Sequence, residues 1–347
     1  MIDYALAGPA DEAILRQLLR ENPMPAWVSM AMTREPDFFA GANRFGRDWA
    51  VLAREGSTPV GMYNCAEQPV HVDGQPRETG YLGALRVVPA YRHRLRVLRD
   101  GYASIRRLSP RPDADLWYTA VASENAPARR LLEAGLRGMP HYRPVNELLT
   151  LALPCRRGRR HGLWQRLSED RLEALCRFYN EQARVWQFSP VLSPELVRRS
   201  GADFHVVEKD GAIVASMALW NQQSYKQVVA HAYRWPLGSL RPAWNLYARW
   251  AGRLPLPPVG RPLDQSALAF FAVAPALAVS VPALVEDALA RCPTAAASFA
   301  LHTGHPWLAG LLRHFRPATY RSMIYAVSFN DPARLDDRPA QPEAAIL

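Results

Sequence analysis

A strand–loop–helix–strand–helix pattern between Gly80 and Leu132 constrains the fold of this chain more than any other stretch. An apolar run, 81–88, is followed by a basic segment, 91–99, that leads into a helical pattern. After a break at Pro110 and Pro112, a second apolar strand and a capped helix follow. The pattern predicts a βαβα unit. Its basic loop would lie at a helix N-terminus, where backbone N–H groups can hold an anion.

The residues of this unit resemble the signatures of the GCN5-related N-acetyltransferases, the GNAT superfamily. Val87-Val-Pro89 ends the first strand as the family's V-x-P motif does, and Arg92 lies in the loop that follows. Asn125, Ala128 and Leu131 match the family's N-x-x-A-x-x-L helix. The resemblance implies a GNAT fold and a site for the pyrophosphate of coenzyme A in the loop.

The resemblance also implies the donor, which would be acetyl-CoA or a longer acyl-CoA. Leu95 and Val97 occupy the places of the family's two loop glycines and add bulk there. Guanidinium groups of Arg92 and Arg94 could replace some of the lost backbone contacts. The same basic loop could instead meet an acyl carrier protein that presents an acyl-phosphopantetheine. The residues expected to bind the cofactor are Leu85, Val87, Arg92, His93, Arg94, Leu95, Arg96, Val97, Leu98 and Asn125.

The pattern of the first half recurs in the second half. The V-x-P ending reappears at Val273-Ala-Pro275, the second strand at 298–302, and the helix opening at Gly304-His-Pro306. Ordered correspondences of this kind indicate an internal duplication. The loop 277–282 of the second copy has neither glycine nor arginine, so we expect the first copy to bind the donor and the second to shape the acceptor side.

We therefore predict a mixed α/β fold of two tandem GNAT-like acyltransferase domains. The N-terminal domain would span residues 1–153 and the C-terminal domain residues 164–330. Residues 154–163 read as a basic, solvated linker. The Pro-, Ala- and Asp-rich tail, 331–347, is expected to be disordered.

Charge and composition narrow the possible partners and location. The net charge is +10, and the basic residues are mostly arginine, which suits bidentate phosphate or carboxylate contacts. We find no recognised nucleic-acid motif, no metal-ligand spacing among the four cysteines and no signal peptide. The uncharged stretch 267–285 is interrupted by Pro275 and Pro282, which favours strand, turn and helix over a membrane span. A cytoplasmic protein without a metal, a nucleic-acid partner or a membrane span is expected.

The resemblance implies direct attack of an amine on a thioester, which needs a base for the amine and an acid for the leaving thiolate. Glu78, just ahead of the central strand, is the expected base, and Tyr81 and Tyr142 are the candidate acids. Hydrogen-bonding and aromatic side chains of the second copy could form an acceptor pocket. They are Trp220, Asn221, Tyr225 and His302.

The predicted function is transfer of an acetyl or longer acyl group from a pantetheine thioester to a small-molecule or peptide amine. Two alternatives remain at this point. One is an acyltransferase that takes its donor from an acyl carrier protein in a biosynthetic pathway. The other is a non-catalytic GNAT-like protein that binds a ligand or partner, which the altered loops would suit.

Overall fold

A computed structural model describes residues 1–23, 28–109, 115–275, 277 and 279–347. The predicted break at Pro110 and Pro112 and the Ala278 position of the 277–282 loop lie outside the described residues.

Each half of the chain contains both strands and helices. The strands of the first half are β1 (Ile2–Leu6), β2 (Val28–Thr33), β3 (Arg47–Glu55), β4 (Thr58–Val72), β5 (Gln75–Val87), β6 (Leu116–Ala122) and β7 (His141–Pro154). Its helices are α1 (Glu12–Glu21), α2 (Leu95–Leu108) and α3 (Ala126–Glu133). The strands of the second half are β8 (Gln165–Arg166), β9 (Asp203–Lys209), β10 (Ala212–Trp220), β11 (Gln227–Tyr233), β12 (Gln265–Val273), β13 (Ala296–His302) and β14 (Ala318–Ser328). Its helices are α4 (Leu172–Ala183), α5 (Pro194–Ser200), α6 (Leu237–Trp250), α7 (Val281–Leu289) and α8 (Leu308–Phe315).

Local sequence signals place the central helices. The side chain of Asn125 accepts the N–H of Ala128 at 3.4 Å, and Pro127 occupies the first turn of α3, where it sacrifices no hydrogen bond. Ser280 caps α7 in the same way through the N–H of Ala283. The uncharged stretch 267–285 therefore divides into β12 and the start of α7, as predicted. In the described part of the chain, no helix is both long and apolar enough to cross a membrane.

Twelve of the described strands form one mixed sheet, in the order β1-β3-β4-β5-β6-β14-β7-β13-β12-β10-β9-β8. β5 pairs with β6 in parallel, and β12 pairs with β13 in parallel, while the other neighbours are antiparallel. β2 and β11 make a separate two-stranded ribbon. The mixed α/β fold class predicted from the sequence is confirmed.

The closing strands of the two halves are exchanged. β14, from the second half, lies between β6 and β7 of the first half and pairs with both. β7 in turn pairs with β13. The sheet is continuous because of this exchange, and each half depends on a strand from the other.

The duplication extends to the irregularities of the strands. The register of β4 against β5 shifts after Met62, and Ala84 of β5 has a positive φ of 51°. The register of β10 against β12 shifts after Ser216, and Phe270 of β12 has a φ of 50°. The two halves thus share a β-bulge at the same point of the corresponding strand pair, and β-bulges are specific structural features. The tandem arrangement predicted from the sequence is thus visible in the backbone.

The basic segment 154–163 is packed against the second half, in contrast to the solvated linker expected. Arg156 donates to the carbonyl of Arg249 at 3.0 Å, and Arg157 donates to the carbonyl of Gly252 at 3.1 Å. Guanidinium groups at a helix C-terminus satisfy carbonyls that have no partner within the helix. The run of arginines therefore caps α6. The domain boundaries themselves stay a prediction.

The tail, 331–347, is ordered against the rest of the chain, so the expectation of disorder was wrong. Ala340 is fully buried, and its carbonyl accepts the side-chain amide of Asn146 at 3.1 Å. The backbone of Gln187 bonds the tail on both sides of Ala340, at Pro339 and at Gln341. A composition poor in large apolar residues suggested disorder. Small side chains and backbone hydrogen bonds are nevertheless enough to hold the tail against the rest of the chain.

Candidate active site

The candidate site is the opening where β5 and β6 separate. The two strands pair only at Gly80 with Trp117 and at Tyr81 with Tyr118. A Cβ atom on Gly80 would lie 2.0 Å from the Trp117 ring, so glycine is needed where the strands meet. Beyond this point a cavity of about 320 Å³ extends between the strands. Residues of β2, β4, α2, α3 and the tail complete its walls.

One end of the cavity carries two half-buried cations. Arg34 contacts the side-chain oxygen of Asn64 at 3.4 Å and lies over the ring of Phe38 at 4.7 Å. Its burial lowers the pKa of the guanidinium. Lys226 donates to the carbonyl oxygens of Ala345 and Leu347 at 3.2 and 2.5 Å. Burial, helped by the charge of Arg34, lowers the pKa of Lys226 to about 8.

Asp48 is the acidic side chain among the described residues that line this cavity. One carboxylate oxygen accepts the backbone N–H of Asn43 at 2.8 Å, and the other lies 3.5 Å from the amide nitrogen of Asn64. Its charge acts against the lowering of the pKa values of Arg34 and Lys226. The arrangement places a carboxylate beside two cations at one end of a largely apolar cavity.

The three predicted catalytic residues are not brought together. Tyr81 lines the cavity, and burial raises the pKa of its hydroxyl, which therefore stays protonated at neutral pH. Tyr142 also lines the cavity and shares a 2.7 Å hydrogen bond with Tyr102. Burial raises the pKa of Tyr142 as well. Glu78 is exposed on β5 opposite Pro69 and does not line the cavity.

The predicted cofactor residues divide into two groups. Those that line the cavity are Leu85, Val87, Val97, Leu98 and Asn125. Those that do not are Arg92, His93, Arg94, Leu95 and Arg96.

Contacts within the protein already engage the loop arginines. Arg92 donates to the carbonyl of Val87 at 2.9 Å and to the side chain of Asn22 at 2.7 Å. Arg94 lies over the ring of Tyr91 at 4.5 Å. Through these contacts the Arg92 side chain attaches the loop to the end of β5.

Sequence reasoning missed four charged residues of the site, namely Arg34, Asp48, Arg86 and Lys226. Arg86 lies in the cavity wall, and no hydrogen-bond partner of its buried Nε is found among the described residues. It was hidden inside an apolar run that reads as a strand. Arg34, Asp48 and Lys226 come from distant parts of the chain, and one weak signal was available: Lys226 is one of only two lysines in the sequence.

Two of the four predicted acceptor residues lie beside this cluster. Trp220 and Tyr225 line a smaller cavity of about 60 Å³ that shares Arg34, Asp48 and Lys226 with the large one. Asn221 is exposed and accepts the N–H of Gln223. His302 is buried, and the centroid of its ring lies 4.9 Å from that of Trp186. It lines neither cavity.

The corresponding opening of the second half is filled by the tail. β12 and β13 pair only over Gln265–Ala267 and then separate. The side-chain amide of Gln341 donates to the carbonyl of Ala300 at 2.9 Å and accepts the N–H of His302 at 2.7 Å. Glu343 accepts the N–H of Phe270, at the bulge, at 2.8 Å. The tail thus supplies hydrogen-bond partners to both separated strands.

Replacing Glu343 by Gln is expected to flatten the dependence of stability on pH. Burial raises the pKa of Glu343 from 4.5 to about 7. A raised pKa in the folded state stabilises the protein at low pH, and this contribution is lost as the pH rises through 7. The shift corresponds to an upper limit of about 3 kcal/mol. Melting temperatures of both proteins between pH 4.5 and 8 test this expectation.

Glu195→Gln serves as the control, since the Glu195 side chain is 82% exposed. A wild-type melting temperature that falls no more steeply than that of Glu343→Gln between pH 5 and 7.5 would contradict the assignment. Lys226 acts in a separate window above pH 8, where its lowered pKa makes stability rise with pH.

No family model and no curated protein sequence matches this chain. Solved structures do match. N-myristoyltransferase of Saccharomyces cerevisiae with bound myristoyl-CoA has a TM-score of 0.61 at 12% identity, with 98% of this chain and 84% of that chain covered. A GCN5-related N-acetyltransferase from Anabaena variabilis has a TM-score of 0.51 at 8% identity, with coverages of 93% and 72%.

A conserved Enterococcus faecalis protein, described as a probable N-acyltransferase, has a TM-score of 0.53 at 9% identity, with coverages of 97% and 73%. At these identities the likeness is one of fold. The resemblance found in the sequence is confirmed at that level: the chain has the fold shared by N-myristoyltransferase and the GCN5-related N-acetyltransferases.

Proposed function

We propose that this protein is an N-acyltransferase that holds a pantetheine thioester in the cavity between β5 and β6. The observation that supports the proposal is the contrast between the two openings. In the second half, Gln341 places an amide between the separated strands and bonds Ala300 and His302. Pantetheine is a linear chain with two amide groups. The first opening offers the equivalent backbone of Ala84 and Ala120, and no side-chain amide bonded to these two residues is found in the described part of the chain.

The remaining walls of the cavity suit the donor. Leu85, Val87, Val97 and Leu98 give apolar contact for the pantetheine chain or an acyl chain. Arg86, with its buried Nε, is the guanidinium best placed to meet an anionic part of the donor. The solved N-myristoyltransferase structures of the same fold contain myristoyl-CoA, which is consistent with an acyl-CoA donor here.

The charged end of the cavity is where we place the chemistry. An amine must lose a proton before it attacks the thioester carbonyl, and Asp48 is the carboxylate side chain in position to accept it. The new C–N bond forms as the C–S bond breaks, and the thiolate takes a proton from the hydroxyl of Tyr81. The nitrogen of the new amide loses its surplus proton, and this proton restores the Tyr81 hydroxyl. Arg34 and Lys226 stabilise the negative charge that develops on the carbonyl oxygen. Trp220 and Tyr225, in the adjoining small cavity, would contact the acceptor.

The source of the thioester can be either free CoA or a carrier protein. Arg96, whose side chain is 83% exposed next to the loop, is available to the acidic surface of a carrier. The two sources share the same pantetheine chemistry in the cavity. The two sources differ in whether CoA binds to the protein in the absence of a carrier protein.

The proposal is tested by adding CoA, acetyl-CoA and myristoyl-CoA to the purified protein and measuring the melting temperature. A ligand present at a hundred times its Kd stabilises the folded state by about 2.7 kcal/mol, which is a shift of several degrees. Intact-mass analysis of mixed amine acceptors then detects transfer. A shift without any transferred acyl group would favour the non-catalytic alternative. The absence of a shift with all three ligands and with acyl-phosphopantetheine would refute the donor assignment.

A further inference from the structure

Helix α6 presents an apolar face to solvent. Three residues on or beside the helix, Trp235, Leu246 and Trp250, are 82%, 73% and 86% exposed. The rings of Trp244, Tyr247 and Trp250 form a row with centroid separations of 5.7 and 6.5 Å. We call the following set the α6 surface: Trp235, Leu240, Trp244, Leu246, Tyr247 and Trp250.

Few contacts of the apolar face attach this helix to the protein, and one of them is the hydrogen bond from Nε1 of Trp244 to the carbonyl of Leu254 at 3.2 Å. Ala248 is its buried residue, and Asn245 and Arg241 hold the neighbouring segment through the carbonyls of Leu256 and Pro257 at 3.0 and 3.1 Å. Amphipathic helices of globular proteins normally turn their apolar stripe toward the core. A contiguous exposed apolar surface of this kind marks a site of interaction.

The charged side chains of the segment that carries the α6 surface are all of one sign. Residues 227–263 contain five arginines and no Asp or Glu. Arg249 lies within the helix, and Arg253 lies in the segment that follows its end at Trp250. Trp and Tyr rings prefer the headgroup region of a bilayer, and arginines there are attracted to anionic lipids.

The protruding rings and the basic residues of the α6 surface fit a lipid partner. Aromatic anchors of protein interfaces occupy well-packed pockets of the partner protein. A row of protruding rings with a basic flank needs no complementary pocket when it inserts into a headgroup layer.

We infer that the α6 surface binds membranes that contain anionic lipids, with the helix lying in the interface. β11, which leads into α6, pairs with β2, and Met32 and Thr33 of β2 line the large cavity. The bound helix therefore belongs to the part of the protein that borders the candidate site. The inference does not depend on the proposed function, because its test measures binding and not transfer.

The test compares sedimentation of the full chain with vesicles of phosphatidylcholine alone and of phosphatidylcholine mixed with phosphatidylglycerol. We expect at least about tenfold stronger binding to the anionic vesicles, weakened by added salt. Trp235→Ser with Trp250→Ser should reduce binding at least about tenfold, since each exposed ring contributes buried apolar area. The high exposure of both rings predicts an unchanged melting temperature.

The matched control is Leu6→Ser with Val185→Ser, which removes exposed apolar side chains elsewhere on the surface and should bind like the wild type. Failure of the wild type to sediment with either vesicle would overturn the inference. So would equal binding by the Trp235→Ser, Trp250→Ser protein. A wild-type dimer that becomes a monomer in this double variant, without vesicle binding, would assign the surface to a second copy of the chain.

Discussion

Replacing Ala128 by Trp is expected to weaken the binding of CoA thioesters at least about a hundredfold and to abolish acyl transfer. Ala128 is half-buried on α3 and lines the cavity where β5 and β6 separate. An indole at this position would occupy space that the donor needs. The donor could then enter the preformed cavity only if the wall moved, which costs free energy. Isothermal titration with the acyl-CoA that binds the wild type measures the loss.

Ala134→Trp is the matched control. Ala134 is exposed at the C-terminal end of the same helix and does not line the cavity, so its replacement should leave the affinity within about twofold. Both variants should melt within a few degrees of the wild type. Undiminished binding by Ala128→Trp would show that the donor lies elsewhere, and the opening between β12 and β13 would then be the next candidate.

The parts of the fold that were predictable from the sequence are those governed by local patterns. The strand that ends at Val87, the cap at Asn125 and the proline in the first turn of α3 are short-range signals with a physical cause. The repetition of these signals around Val273 and Gly304 was enough to predict the tandem arrangement. Long-range consequences, such as the exchange of β7 and β14, have no local signature.

The site was less predictable, for a related reason. Its charged end is assembled from the segment after β2, from β3 and from the segment before β11. The first two are separated from the third by many residues in the chain. Arg34, Asp48 and Lys226 each look like an ordinary surface charge until the fold brings them together. Glu78 was expected to lie just ahead of the central strand, whereas the structure places it within β5, exposed and outside the cavity lining.

The tail shows how composition can mislead. Its many Pro and Ala residues are typical of disorder, yet Gln341 and Glu343 satisfy backbone groups that the separation of β12 and β13 leaves exposed. Buried backbone N–H and C=O groups almost always have partners. The need for hydrogen-bond partners arises in the separated strands of the sheet, so the tail's own sequence could not reveal it.

Replacing Asp48 by Asn is expected to lower kcat by about 10² to 10⁴-fold, the usual range for loss of a general base. Asn keeps an oxygen that can accept the N–H of Asn43, so the loop contact survives while the proton acceptor is lost. Loss of the negative charge should lower the pKa of Lys226 further, because Asp48 now favours its charged form. The measurement is the pH profile of kcat and of kcat/KM.

A comparison of kcat with the affinity for the acyl-CoA separates a catalytic role of Asp48 from a structural one. If Asp48 is the base, kcat should fall in Asp48→Asn while the affinity for the acyl-CoA stays within a few fold. Asn43→Gly is the control, since it removes the side-chain acceptor for the N–H of Asp48 but keeps the carboxylate. Its kcat should stay within a few fold of the wild-type value. Equal losses in both variants would mean that the loop geometry, and not proton transfer to Asp48, limits the reaction.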